Sequence, residues 1–120
     1  MILLVEDDDL VRELLMGFLE AAGYAVLEAA SAEHALRAIA ARPAALDLVI
    51  TDMALPGLDG AELVRQLVAT RPGLKVLYMS GNPVDPAGGA AGCDGAASLG
   101  KPFTRDAFMA TVRGLLAQRG

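Results

Sequence analysis

The sequence predicts one α/β domain, a doubly wound parallel sheet with helices on both faces. Three observations carry this. Short, nearly unbroken apolar runs recur along the chain, as strands buried on both faces require. Between them lie stretches whose apolar residues repeat at the helical period. Strand and helix then alternate about five times, and a strand that returns parallel through a helix lays that helix on a sheet face. At 120 residues the chain has the size of one domain, commonly roughly 100–150 residues.

The elements follow in order. "ILLV" (2–5), ended by "EDDD", reads as the first strand. Val11, Leu14, Leu15, Phe18 and Leu19 form the stripe of a helix that Gly23 stops, its start capped by Asp8 or Asp9. "YAVLEA" (24–29) is the second strand; Ser31 caps a helix carrying Leu36 and Ile39 that ends at Pro43. "LDLVI" (46–50) is the third strand, delivering Asp52 at its end into a Pro56–Gly60 loop. Asp59 is placed to cap the next helix, marked by Leu63, Val64, Leu67 and Val68 and closed by "RPG" (71–73). "KVLYM" (75–79) is the fourth strand and "ASL" (97–99) a short fifth. Thr104 caps the last helix, with Asp106 in its first turn and Phe108, Val112, Leu115 and Leu116 inward. Phe103 is expected to anchor the preceding loop in the core.

The stretch 81–96, where another helix belongs, carries five glycines and two prolines. Each interior Gly costs about 1 kcal/mol relative to Ala and each interior Pro about 3 kcal/mol. A short, broken or mobile helix is expected there.

Composition narrows the function classes. Hydrophobic residues make up 54% and charged ones 21%, with a net charge of −5 and a pI near 4.7. An acidic balance argues against nonspecific nucleic-acid or anionic-membrane binding, which would need a basic patch. The single cysteine, Cys93, permits no internal disulfide and suits a reducing, cytoplasmic setting. "MILLV" is too short for a signal-peptide core, and no apolar run approaches the roughly 18 residues of a membrane span. No linker or internal repeat is evident, and a monomer is expected. His34, the only histidine, reads as a solvated helix residue.

Ligands of open parallel sheets bind at the carboxyl ends of the strands, near the switch point of strand order. That edge gathers Glu6 and Asp7 after the first strand, Asp52 after the third, Ser80 after the fourth and Lys101 after the fifth. Two unit charges about 4 Å apart repel by roughly 4 kcal/mol at an effective dielectric of 20, so three carboxylates there call for a cation. Oxygen donors without Cys or His suit a hard ion, and a sparse, open site suits Mg²⁺ better than Ca²⁺. A divalent ion and one lysine leave room for an anion such as a phosphoryl group.

"ILLVEDD" (2–8), "LVITDMALPGLDG" (48–60), "VLYMSG" (76–81) and "KPF" (101–103) together resemble the receiver domain of two-component response regulators, in order and over essentially the whole chain. The resemblance implies a flavodoxin-like (βα)5 fold with strand order 2-1-3-4-5, filling residues 1–120 as a single receiver domain. It implies that Asp52 is the phosphoacceptor, a carboxylate nucleophile taking a phosphoryl group from the phosphohistidine of a histidine kinase or histidine phosphotransfer domain. Glu6, Asp7 and Asp52, with the backbone carbonyl of Ala54, would hold Mg²⁺. Lys101 would pair with Asp52 and then with a phosphoryl oxygen, Ser80 would close its hydroxyl onto that group, and Lys101–Pro102 would be cis.

Two departures from the family pattern stand out. Many receivers carry an aromatic residue three positions before the lysine, where this chain has Ser98. Together with the Gly-rich stretch, this puts the usual aromatic readout in doubt and favours an order change in 81–96 or simple phosphate relay. Ala54 has no polar side chain to offer the phosphoryl group whereas Asn82 could supply one, and the resemblance implies that both positions tune the phosphorylated lifetime. The "YMSG" (78–81) form resembles receivers of hybrid sensor histidine kinases more than those joined to DNA-binding domains, so an attached kinase or output domain is one expectation and a free-standing regulator another.

Three functions compete. The first is a self-phosphorylating and self-dephosphorylating signalling module rather than a metabolic enzyme. The second is a haloacid-dehalogenase-like, Mg²⁺-dependent phosphatase; such enzymes carry a second acid two residues after the nucleophile, where this chain has Ala54. The third is a degenerate receiver acting as a protein-binding scaffold, disfavoured by the retention of Glu6, Asp7, Asp52, Ser80 and Lys101. The sequence favours the first.

Overall fold

A computed structural model describes residues 1–41, 46–52, 60–71, 73–80, 96–100 and 104–117, with backbone alone for Gly60, Ala61, Ser80, Ala96 and Ser98. The apolar runs form a parallel sheet of β1 (Ile2–Val5), β2 (Val26–Ala29), β3 (Leu48–Asp52), β4 (Lys75–Ser80) and β5 (Ala96–Gly100). Its order is β2-β1-β3-β4-β5, as expected. The helices are α1 (Asp9–Ala21), α2 (Ala32–Ala41), α3 (Gly60–Thr70) and α4 (Arg105–Ala117).

Alternation along the strands sends neighbouring side chains to opposite faces, and the sheet therefore separates two cores. Leu3, Val5, Val49, Val76 and Tyr78 pack with Ala32, Ala35 and Ile39 of α2 and Leu63, Val64 and Leu67 of α3. Ile2, Leu4, Leu48, Ile50, Leu77 and Met79 pack with Leu15 and Leu19 of α1 and Phe108, Val112 and Leu115 of α4. The Phe18 and Phe108 rings, with centroids 6.4 Å apart and planes tilted by 52°, join α1 to α4 in an edge-biased arrangement.

The helix ends follow the capping chemistry of the sequence. Asp8 caps α1, its carboxylate accepting from Leu10 N and Val11 N. Gly23 ends it with φ 93°, a left-handed conformation that glycine adopts without a Cβ penalty. The Ser31 hydroxyl accepts from His34 N at 3.1 Å, and the Thr104 hydroxyl from Ala107 N at 3.0 Å.

Four expectations need correction. The second strand begins at Val26 rather than residue 24, because Tyr24 N donates to Leu19 O in the turn that closes α1. The third runs over Leu48–Asp52 rather than 46–50; register pairing with both neighbours begins at Leu48, opposite Ile2 and Lys75, and the Asp47 backbone makes only the flanking bonds to Met1 O and Lys75 N. The fifth extends to Ala96–Gly100, since β4 offers partners from Val76 to Ser80. Leu14 lies outside the buried stripe of α1, 56% exposed. The expectations for Pro43, Asp59, Phe103, Cys93 and 81–95 lie outside the described residues.

Candidate functional site

The site begins with the pairing of the two central strands. Val5 and Thr51 are register partners, so the next residues, Glu6 and Asp52, emerge side by side at the carboxyl edge of the sheet. Glu6 continues the ladder toward β2, its N–H donating to Ala29 O at 3.1 Å. Asp52 is the last residue of a strand buried throughout, and the Thr51 hydroxyl donates to its carbonyl at 3.0 Å.

The turn from β1 into α1 is short because Asp8 already caps the helix, with Leu10 N at 3.0 Å and Val11 N at 3.2 Å from the same carboxylate oxygen. Within it, the Glu6 carboxylate accepts from Asp8 N at 3.1 Å, and the Glu6 carbonyl accepts from Arg12 Nη1 at 2.9 Å. Both ends of Glu6 are thus held, and Asp7 faces solvent between them.

Oxygens of Glu6, Asp7 and Asp52 consequently lie within 4.8 Å of one another. Glu6 is 1% exposed and Asp52 8%, so solvent screens this pair poorly. At this separation two carboxylates repel by roughly 3–4 kcal/mol at an effective dielectric of 20. The trio offers oxygen donors alone, two buried and one open to water, which fits a small, hard cation that keeps part of its hydration shell.

Arg12 carries no signal in the sequence that marks it for this site. Its guanidinium also donates to Asp9 Oδ1 at 2.7 Å and to Glu28 Oε1 of β2 at 3.0 Å. The bond with Asp9 leads in raising its pKa above the ordinary arginine value, against desolvation. The spacing to Asp9 is visible in the sequence; Glu28 joins only once β2 is known to flank β1.

Of the other residues expected here, Ser80 ends β4 one position beyond Met79, the register partner of Asp52. Ser80 pairs in turn with Gly100, and Lys101 is the next residue in the chain. The described backbone therefore brings Ser80 and Gly100 to the edge that holds the acids. The Ser80 side chain, Ala54, Lys101 and the Lys101–Pro102 bond lie outside the described residues. His34 is exposed on α2, as expected. No helix among the described residues is long and apolar enough to cross a membrane.

Comparison with known proteins agrees with this geometry. Residues 2–113 match the model of the response regulator receiver domain. The chain is 35% identical to the sensor kinase CckA of Brucella abortus over 98% of its own length and 13% of that protein's. It is 37% identical to the transcriptional regulatory protein FixJ of Azorhizobium caulinodans over 95% of its own length and 54% of that protein's. It thus spans about half or less of these relatives. Among solved structures, the response regulator receiver protein of Sinorhizobium medicae superposes with a TM-score of 0.87 at 28% identity, covering 99% of this chain and 95% of the other. The receiver domain of the hybrid histidine kinase CckA gives 0.81 at 33% identity, covering 96% and 97%. With the strand order, the acidic edge and the sequence match in accord, the chain belongs to the response regulator receiver domain family of two-component signalling.

Proposed function

We propose that Asp52 is the phosphoacceptor of this receiver and that Glu6 and Asp7 serve it through a shared Mg²⁺. The observation that carries the reading is the placement of Asp52: buried, at the end of a central strand, and within 4.8 Å of two further carboxylates. An Asp52 carboxylate oxygen attacks phosphorus in line as the bond to the phosphohistidine nitrogen breaks; the N–P electron pair returns to a ring protonated on its other nitrogen, leaving an acyl phosphate and a neutral imidazole. Glu6, Asp7, Asp52 and the Ala54 carbonyl would hold Mg²⁺, which would supply charge neutralisation for the equatorial phosphoryl oxygens. Lys101 offsets the remaining charge, and Ser80 donates its hydroxyl to a phosphoryl oxygen.

The phosphodonor is a histidine kinase or histidine phosphotransfer domain. An attached kinase or output domain in a longer chain is supported by the relatives, one a sensor kinase and the other a transcriptional regulatory protein. The domain works as a cytoplasmic monomer that turns over no separate metabolite. Intact-protein mass after incubation with Mg²⁺ and acetyl phosphate tests this: one phosphoryl adduct for the wild type and none for Asp52→Asn. A folded wild type without an adduct would refute the phosphoacceptor reading and favour a scaffold.

A further inference from the structure

Arg12 reaches the acidic trio through the main chain of one member. Three of its nitrogens donate in three directions: Nη1 to the Glu6 carbonyl at 2.9 Å, Nη2 to Asp9 at 2.7 Å and Nε to Glu28 at 3.0 Å. The first is a residue of the site, the second lies in the first turn of α1, and the third is on β2, where it is the register partner of Leu4. The arginine side chain is only 16% exposed, against 81% for Asp9 and 52% for Glu28. A planar guanidinium can hold three such acceptors at once in fixed directions; the single ammonium of lysine cannot reproduce that fork.

We propose that Arg12 is a positioning residue for the cation site, locking the Glu6–Asp7 turn against β2 so that the acidic trio is preorganised. This rests on the reading of Glu6, Asp7 and Asp52 as Mg²⁺ ligands. Two effects of Arg12 on such an ion have opposite signs. Its positive charge repels the ion, although Asp9 and Glu28 offset that charge. Its grip on the Glu6 carbonyl favours the ion, since a turn free to rotate would have to be ordered on binding. Exposed and half-exposed ion pairs contribute little to stability, about 0–1 kcal/mol, so the contacts to Asp9 and Glu28 matter here mainly as anchors for the third. Groups that orient metal ligands commonly change affinity about 10- to 100-fold, and this one acts through a backbone carbonyl, so the lower end applies.

The test separates geometry from charge. Magnesium chloride is titrated calorimetrically into the unphosphorylated wild type, Arg12→Lys and Glu28→Asp, at low and high salt, with amide NMR shifts of Asp7 and Asp8 followed in parallel. Both substitutions keep every formal charge and disturb the fork. Arg12→Lys should weaken Mg²⁺ binding about tenfold and Glu28→Asp by less, with each deficit unchanged by salt and the thermal midpoint little altered. If Arg12→Lys fails to fold, the Glu28→Asp result decides alone. Affinities within twofold of wild type, or a deficit that disappears at high salt, would overturn the role of Arg12 alone. A wild type that binds no Mg²⁺ would overturn it together with the cation site on which it rests.

Discussion

Val5 and Thr51 face each other across β1 and β3, and this one register pair sets the relation between Glu6 and Asp52. Both strands are buried on both faces. A slip by one residue would exchange the two cores' side chains along the whole strand and carry Asp52 away from the trio. The packing that makes the sheet stable is therefore also what places the carboxylates.

Because the trio repels itself without a cation, Mg²⁺ should stabilise the fold. At one hundred times its dissociation constant the gain is about 2.7 kcal/mol, a rise of several degrees in thermal midpoint that a chelator reverses. Asp7→Asn should abolish most of that response while raising the metal-free midpoint slightly, by no more than about 1 kcal/mol for an exposed side chain. A metal-free Asp7→Asn protein less stable than wild type would show that Asp7 contributes something larger than its repulsion of Glu6 and Asp52.

The cap of α1 can be separated from its neighbours. Asp8→Ala removes the acceptor for Leu10 N and Val11 N and should cost about 0.5–2 kcal/mol. Asp8→Asn keeps an acceptor oxygen and should stay close to wild type. Urea unfolding of both variants distinguishes a cap from a purely electrostatic contribution, which would make them equally unstable.

Adjacent leucines on α1 should behave oppositely. Leu15, 1% exposed, should cost about 2–5 kcal/mol as Leu15→Ala. Leu14, 56% exposed, should change stability by less than about 0.5 kcal/mol as Leu14→Gln. A large loss for Leu14→Gln would place that side chain in the core after all.

The sequence showed the fold where local pattern and tertiary demand coincide. The apolar runs at 2–5 and 75–79, Ser31 and Thr104 as caps, and Asp52 at a strand end are read from neighbours in the chain. It misplaced Leu14 because an i, i+3, i+4 stripe defines a helical face without its width; burial instead selects Leu15 and Leu19, with Val11 and Phe18 packed beside them. It began the third strand at Leu46 because that side chain is apolar, although register pairing starts at Leu48. Arg12 escaped notice for a different reason: its acceptors include a main-chain oxygen and a side chain on β2, and neither has a signature in residue type.

The sheet also divides the interior into two compartments that, among the described residues, share no side chain. Volume lost beneath α2 and α3 cannot be refilled from beneath α1 and α4, so Leu67 and Leu115 damage would accumulate as a plain sum, as distant sites without common partners do. Sequence change in one compartment is accordingly invisible to the other. What both must respect is the common wall, whose carboxyl edge carries Glu6 and Asp52, so either half can drift while the acids stay in place.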